Sequence, residues 1–232
     1  MPARNTRKIF IENGYYHIYN RGVEQRVIFR DERDYATFLR FLKEALSPPL
    51  TEEQKKQLSK SFTLKGQAFK GIPRQPKNLH KQVELLAYAL MPNHFHLLLR
   101  QKSKTAVKDL LQSVATRYSM YFNRRYKRTG KLFENVYKAI EIDSEPYLLH
   151  ITRYIHLNPK NHVKNLTDAY SSYPEYLKMR NSPWVKPDFI LALFSSRPAG
   201  FNSYRNFVEE EDFDSAEMLG RMALDESDEE NI

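Results

Sequence analysis

The stretch Met91-Pro-Asn-His-Phe-His-Leu-Leu-Leu-Arg100 sets two imidazoles, His94 and His96, two residues apart in an otherwise apolar run. A strand turns successive side chains to opposite faces, so these two rings share one face. Paired neutral imidazoles fill a core poorly but hold a divalent cation well. The triplet alone is equally compatible with a satisfied surface or core pair. The reading therefore turns on whether another ligand and a reactive group reach the same point.

Downstream, Ser144-Glu-Pro-Tyr-Leu-Leu-His-Ile-Thr-Arg-Tyr-Ile-His-Leu-Asn-Pro159 has the grammar of a helix. Ser144 is the expected N-cap, Glu145 and Pro146 suit the first turn, and Pro159 closes the element. Tyr147, Leu148, Ile151 and Ile155 form an apolar stripe, with Tyr154 and Asn158 side by side at its edge, one turn apart. Laid over the His94 and His96 face, this helix would gather two imidazoles, an amide oxygen and a phenol. That is a cation site with a nucleophile beside it. Two other readings use the same residues. A zinc hydrolase would recruit His150 or His156 as third ligand, although no His-Glu-x-x-His run is present. A nucleic-acid-binding module would need none of this chemistry.

The elements that must position these groups follow in the order strand, helix, hairpin, helix, strand, helix. Gly14–Asn20 is β-branched and aromatic and precedes a turn at Arg21-Gly22. Asp31 is placed to cap a helix running to about Leu46, with Tyr35, Phe38, Leu39 and Leu42 on one face and Ser47-Pro48-Pro49 as its stop. Residues 47–80 are polar and aperiodic and are expected to form an insertion loop, with a short helix near Glu52–Ser61. Val83–Leu90 and His94–Arg100 read as a hairpin across Met91-Pro92-Asn93. Thr105 to about Lys127 shows helical spacing at Val107, Leu110, Leu111, Val114, Tyr118 and Tyr121, with Gly130 as terminator, and Val136–Ile142 is a strand. The pattern predicts an α+β fold, a small antiparallel sheet with helices packed on it. A domain over 1–165, an aromatic extension packed on it over 166–208, and a disordered acidic tail over 209–232 are expected.

Composition narrows the partners. Without cysteine, disulfides and thiolate metal sites are excluded. No apolar run is long enough to span a bilayer, and the first residues lack a signal-peptide core, so a soluble, intracellular (cytoplasmic) protein with no membrane partner is expected. The formal charge of +9 is unevenly spread: Glu209–Ile232 holds eleven of the 28 acidic residues and one of the 37 basic ones, leaving 1–208 at +19. A body that basic, with 15 Tyr and 14 Phe, fits unpaired nucleic acid, cations for phosphates and rings for bases. Arg117, Arg124, Arg125 and Arg128 crowd one helix end and are the candidate phosphate contacts.

His94-Phe95-His96 after Met-Pro-Asn, followed by Arg153-Tyr154-Ile155-His156-Leu157-Asn158-Pro159, resembles the single-tyrosine transposases of the HUH nuclease superfamily, and among them the REP-associated tyrosine transposases. The segment Tyr118–Glu134 is similar to the family's stretch between those motifs, and the resemblance runs from about Tyr15 to Pro159. It implies a ferredoxin-like or RRM-like sheet. It also implies a catalytic role for Tyr154, attacking single-stranded, hairpin-type DNA ends to give a 5′-phosphotyrosine bond. His94, His96 and Asn158 would hold Mg²⁺ or Mn²⁺. The chain would act as a monomer or a homodimer, with the tyrosine helix supplied in cis or by a partner.

Overall fold

The computed structural model describes residues 9–64, 67–73, 75–196 and 203–210. Its main sheet has four antiparallel strands, β1 (Tyr15–Arg21), β4 (Val83–Met91), β5 (His94–Gln101) and β6 (Lys138–Ile142), ordered β4-β5-β1-β6. With α1 (Glu32–Leu46) after β1 and α3 (Ala106–Arg125) after β5, the chain traces β-α-β-β-α-β, the split βαβ of ferredoxin-like folds. The expected α+β architecture is what forms.

Both faces of the sheet are covered. On one, Phe38, Phe41 and Leu42 of α1 and Val107, Leu110, Val114, Tyr118 and Phe122 of α3 pack against Tyr16, Ile18, Phe95, Leu97 and Leu99. On the other, Leu148, Leu149, Ile151 and Ile155 of α4 (Glu145–Leu157) pack on Ala87, Ala89, Met91 and Leu98. A bulge between Leu85 and Ala87 shifts the register of β4, so Leu86 and Ala87 both join the α4 side.

Local chemistry explains most element ends. The Asp31 carboxylate accepts from the backbone N–H groups of Arg33 and Asp34, capping α1 as expected. Ser144 precedes α4 in extended conformation, but its side chain makes no cap bond. Helix α3 stops at Arg125, earlier than expected, because Lys127 already sits in the left-handed region at φ 50° and Arg128 N–H bonds to the Asn123 carbonyl.

Residues 47–80 are more ordered than a loop. Thr51 and Gln54 form a capping box for α2 (Glu52–Gln57), and β2 (Lys60–Leu64) pairs antiparallel with β3 (Gln67–Gly71). Phe62 and Phe69 stack across that hairpin with centroids 5.6 Å apart.

The extension beyond residue 165 closes the outer edge of β4. Leu90 N–H bonds to the Tyr170 carbonyl, Ser172 N–H to the Tyr88 carbonyl, and Lys186 N–H to the Leu85 carbonyl, so the edge strand does not face solvent unpaired. Short helices α5 (Tyr173–Tyr176), α6 (Asp188–Ser195) and α7 (Tyr204–Glu209) follow, with Ile190, Tyr204, Phe207 and Val208 packed with the α4 core. The acidic tail beyond residue 210 lies outside the described residues.

Candidate active site

The turn before His94 is locked from the side. The Pro92 carbonyl accepts from Ile28 and Phe29 N–H, and the Asn93 carbonyl accepts from Gly22 N–H. Gly22 is needed for that approach: a Cβ there would stand 2.2 Å from the Arg26 carbonyl oxygen and 2.8 Å from Ile28. Two residues, Pro92 and Asn93, connect Met91 to its register partner His94. The start of β5, and so the first imidazole, is held by backbone bonds.

Alternation then sets His96 on the face covered by α4. In the β1–β5 register Tyr19 lies opposite His96 and His17 opposite Leu98, which brings a third imidazole to the same face. His17 and His96 are 2 % and 4 % exposed, and their rings stack with centroids 5.0 Å apart. His17 Nε2 is 2.8 Å from His96 Nδ1. Burial, and then the neighbouring His17 and His94, hold His96 well below the ordinary imidazole pKa, so it is neutral near pH 7.

Helix α4 lies across this face in the same chain, bringing Tyr154 and Asn158 to the histidines. The half-buried Tyr154 ring stands edge-on to His96 at 5.4 Å and to His17 at 6.0 Å. Asn158 Oδ1 is 3.2 Å from His94 Nε2, while His94 Nδ1 is 2.6 Å from Asn93 Oδ1. A neutral ring has one N–H, and both partners are oxygens that only accept. With the ring neutral and its proton on the shorter contact, Nε2 would present a lone pair to the amide oxygen. That pair of donors suits a cation: adjacent corners of an octahedron with bonds of roughly 2.1 Å lie about 3 Å apart. His94, His96 and Asn158 are the residues that could hold such an ion, with water and phosphate oxygens filling the rest of the shell. Among the described residues no three His, Cys, Asp or Glu side chains gather as a metal group.

The other histidines of α4 do different work. His156 is buried, with Nδ1 2.9 Å from Tyr204 Oη and Nε2 2.8 Å from Ser172 Oγ, and burial pushes its pKa down to about 3. Both of its nitrogens are engaged in joining α4 to the extension, so it is no third zinc ligand. His150 is also buried, its ring 6.4 Å from that of Phe207. The helix is buried more widely than a single stripe: Arg153 donates from Nε to the Phe207 carbonyl at 2.7 Å. The aromatic extension causes this, and the helix's own periodicity does not announce it.

Tyr19 is a second phenol near His96, its ring 5.7 Å away and itself 5.1 Å from Lys138 Nζ. Neither it nor His17 stands out in the sequence. The available signal was the His-x-Tyr alternation within the first strand, but its meaning depends on a register that only the paired sheet reveals.

The four arginines lie at or just beyond the C-terminal half of α3, the helix on the opposite face of the sheet. Arg117 pairs with Glu44, and Arg125 reaches Asp31 at 2.6 Å and Asp34 at 2.7 Å. With Arg33 and the exposed Arg124 they line a groove of about 430 Å³. Arg128 bonds to Asn123 Oδ1 at 2.7 Å. Burial, and then the adjacent Arg26 and Arg30, press its pKa below the ordinary guanidinium value.

The split-βαβ sheet thus bears a histidine pair, with a tyrosine and an amide carried over it on a later helix. Residues 51–158 match the family model described as "Transposase IS200 like". That stretch contains His94, His96, Tyr154 and Asn158. Among solved structures, the chain is similar to a REP-associated tyrosine transposase bound to a REP hairpin, at 12% identity and a TM-score of 0.45, covering 79% of this chain and 98% of that one. It is also similar to a candidate transposase from Deinococcus radiodurans R1, at 19% identity and a TM-score of 0.34, covering 67% and 95%. No curated protein sequence matches it. Among the described residues no helix is long and apolar enough to cross a membrane.

Proposed function

We propose that the chain cuts and rejoins single-stranded DNA at hairpin-type ends, with Tyr154 as nucleophile and a divalent metal ion, Mg²⁺ or Mn²⁺, held by His94, His96 and Asn158. The observation that carries this reading is the meeting of two residues of one helix with two histidines of one strand: Tyr154 against His96, and Asn158 against His94.

In the proposed reaction Tyr154 Oη attacks the scissile phosphorus. The new Oη–P bond forms as the P–O3′ bond breaks, leaving a 5′-phosphotyrosine and a 3′-hydroxyl. The phenol loses a proton and the departing 3′-oxygen takes one up, so the step is proton-neutral. Because a phosphodiester is exchanged for a phosphodiester, attack by another 3′-hydroxyl rejoins DNA without a nucleotide cofactor. The ion, when bound, would neutralise charge on the phosphate and steady the leaving oxygen. Packing of the half-buried Tyr154 ring edge-on to two imidazoles restricts where its hydroxyl can reach, which supports the nucleophile role. Arg117, Arg124, Arg125 and Arg128 are proposed phosphate contacts, and the division into a catalytic unit over 1–165, an extension over 166–208 and a tail is proposed with them.

The test is incubation with hairpin-containing single-stranded DNA and Mn²⁺. The reading expects a denaturant-resistant protein–DNA adduct that Tyr154→Phe abolishes and Tyr19→Phe leaves. Cleavage without an adduct would instead indicate a hydrolase, and binding without cleavage a module that has no catalysis.

A further inference from the structure

We infer that His17 is a positioning residue: by accepting a hydrogen bond from His96 Nδ1–H, it aims the His96 Nε2 lone pair at the cation site. The inference rests on the metal reading above and adds a residue to it.

Two buried rings, His17 and His96, meet nitrogen to nitrogen. His17 Nε2 and His96 Nδ1 lie 2.8 Å apart, so one proton sits between them. Were His17 the donor, neutral His96 would carry its own proton on Nε2 and could not ligate through that atom. With His96 as donor, Nε2 is a lone pair. His94 has the corresponding arrangement, its Nδ1 facing Asn93 Oδ1 at 2.6 Å and its Nε2 turned to Asn158. Each histidine of the pair thus has a side-chain partner at Nδ1, one from the preceding turn and one from the neighbouring strand.

The His17 ring is held in position by its surroundings. It stands opposite Leu98 in the register, stacks on Tyr19 at 5.1 Å, and meets the Tyr154 ring edge-on. Partners of this kind fix both the tautomer and the plane of a ligating imidazole, and their loss typically lowers metal affinity roughly 10–100-fold.

Two measurements on the full chain test the inference. In the metal-free protein with ¹⁵N-labelled histidine at neutral pH, two-bond ¹H–¹⁵N correlations should place the His96 proton on Nδ1; a proton on Nε2 overturns the inference whatever any variant does. In a Mn²⁺ titration followed by calorimetry, His17→Leu should bind roughly 10–100-fold more weakly than wild type, while His17→Gln, whose Oε1 can still accept, should stay within a few-fold. Equal affinity in wild type and His17→Leu overturns this inference alone. A wild-type protein that binds no Mn²⁺ overturns the metal reading as well.

Discussion

Asn158 Oδ1 and His94 Nε2, from a helix end and a strand start 64 residues apart in the chain, lie 3.2 Å from each other. The contact ties the last turn of α4 to the first residue of β5, at the end of the sheet where Gly22 and the Pro92-Asn93 turn are locked together. In the proposed function these two atoms share a cation.

Asn158→Ala is therefore expected to weaken Mn²⁺ binding at least tenfold in a calorimetric titration. Both side chains are partly exposed, so the melting temperature of the metal-free protein should move little. A large loss of stability with unchanged Mn²⁺ affinity would make Asn158 a helix-end residue and nothing more.

His156 supplies a pH prediction. Its folded-state pKa of about 3 lies below the ordinary imidazole value of 6.5. Between those values the unfolded chain binds a proton that the folded chain does not, so folding stability falls as pH drops through this window and is fully present above it. The slope from this one group is at most about 1.4 kcal/mol per pH unit. Chemical denaturation at stepped pH should show a flatter acid limb for His156→Gln than for wild type. Parallel curves would mean that the ring is not held neutral.

Much of the sheet and its helices could be read from the sequence because the signals were local. Asp31 caps α1, and the Pro92-Asn93 turn joins two apolar strands. Tyr154 and Asn158 owe their common edge to helical spacing alone. What was not legible depended on distant partners. His17 is one imidazole in an aromatic strand until pairing sets it beside His96. The β2–β3 hairpin has five-residue strands with one aromatic cross-pair, too little alternation to stand out from polar sequence. The wide burial of α4, including Arg153 and His156, is created by helices that pack on it from beyond residue 165.

Gly22 and Gly130 separate steric need from conformational need. Gly22→Ala puts a Cβ 2.2 Å from the Arg26 carbonyl oxygen and should destabilise the fold by roughly 1–3 kcal/mol, while loosening the turn before His94. Gly130→Ala meets nothing within 4 Å and is opposed only by its φ of +85°, a cost of roughly 1–2 kcal/mol. Denaturant melts would give the stabilities. DNA-cleavage rates should fall for Gly22→Ala and hold for Gly130→Ala; equal rates in both variants would free the turn from any part in the site.

Arg128, a proposed phosphate contact, has Arg30 as a neighbour. Both guanidinium groups stand by the Phe122 ring, at 5.4 and 6.0 Å, and Arg30 also lies 4.3 Å from the Tyr126 centroid. Neither has a carboxylate partner among the described residues, although Arg26 beside them pairs with Glu24. Replacing both by Gln should lower the slope of log affinity for single-stranded DNA against log salt by about one per arginine. An unchanged slope would assign them to the solvated surface.

The most direct measurement is to digest the protein–DNA adduct and sequence the nucleotide-bearing peptide by tandem mass spectrometry. The account predicts a 5′-phosphate joined to Tyr154, formed only with a divalent ion present and lost when His96 is replaced. A nucleotide on Tyr19, the other phenol beside His96, or on any residue outside α4, would contradict it.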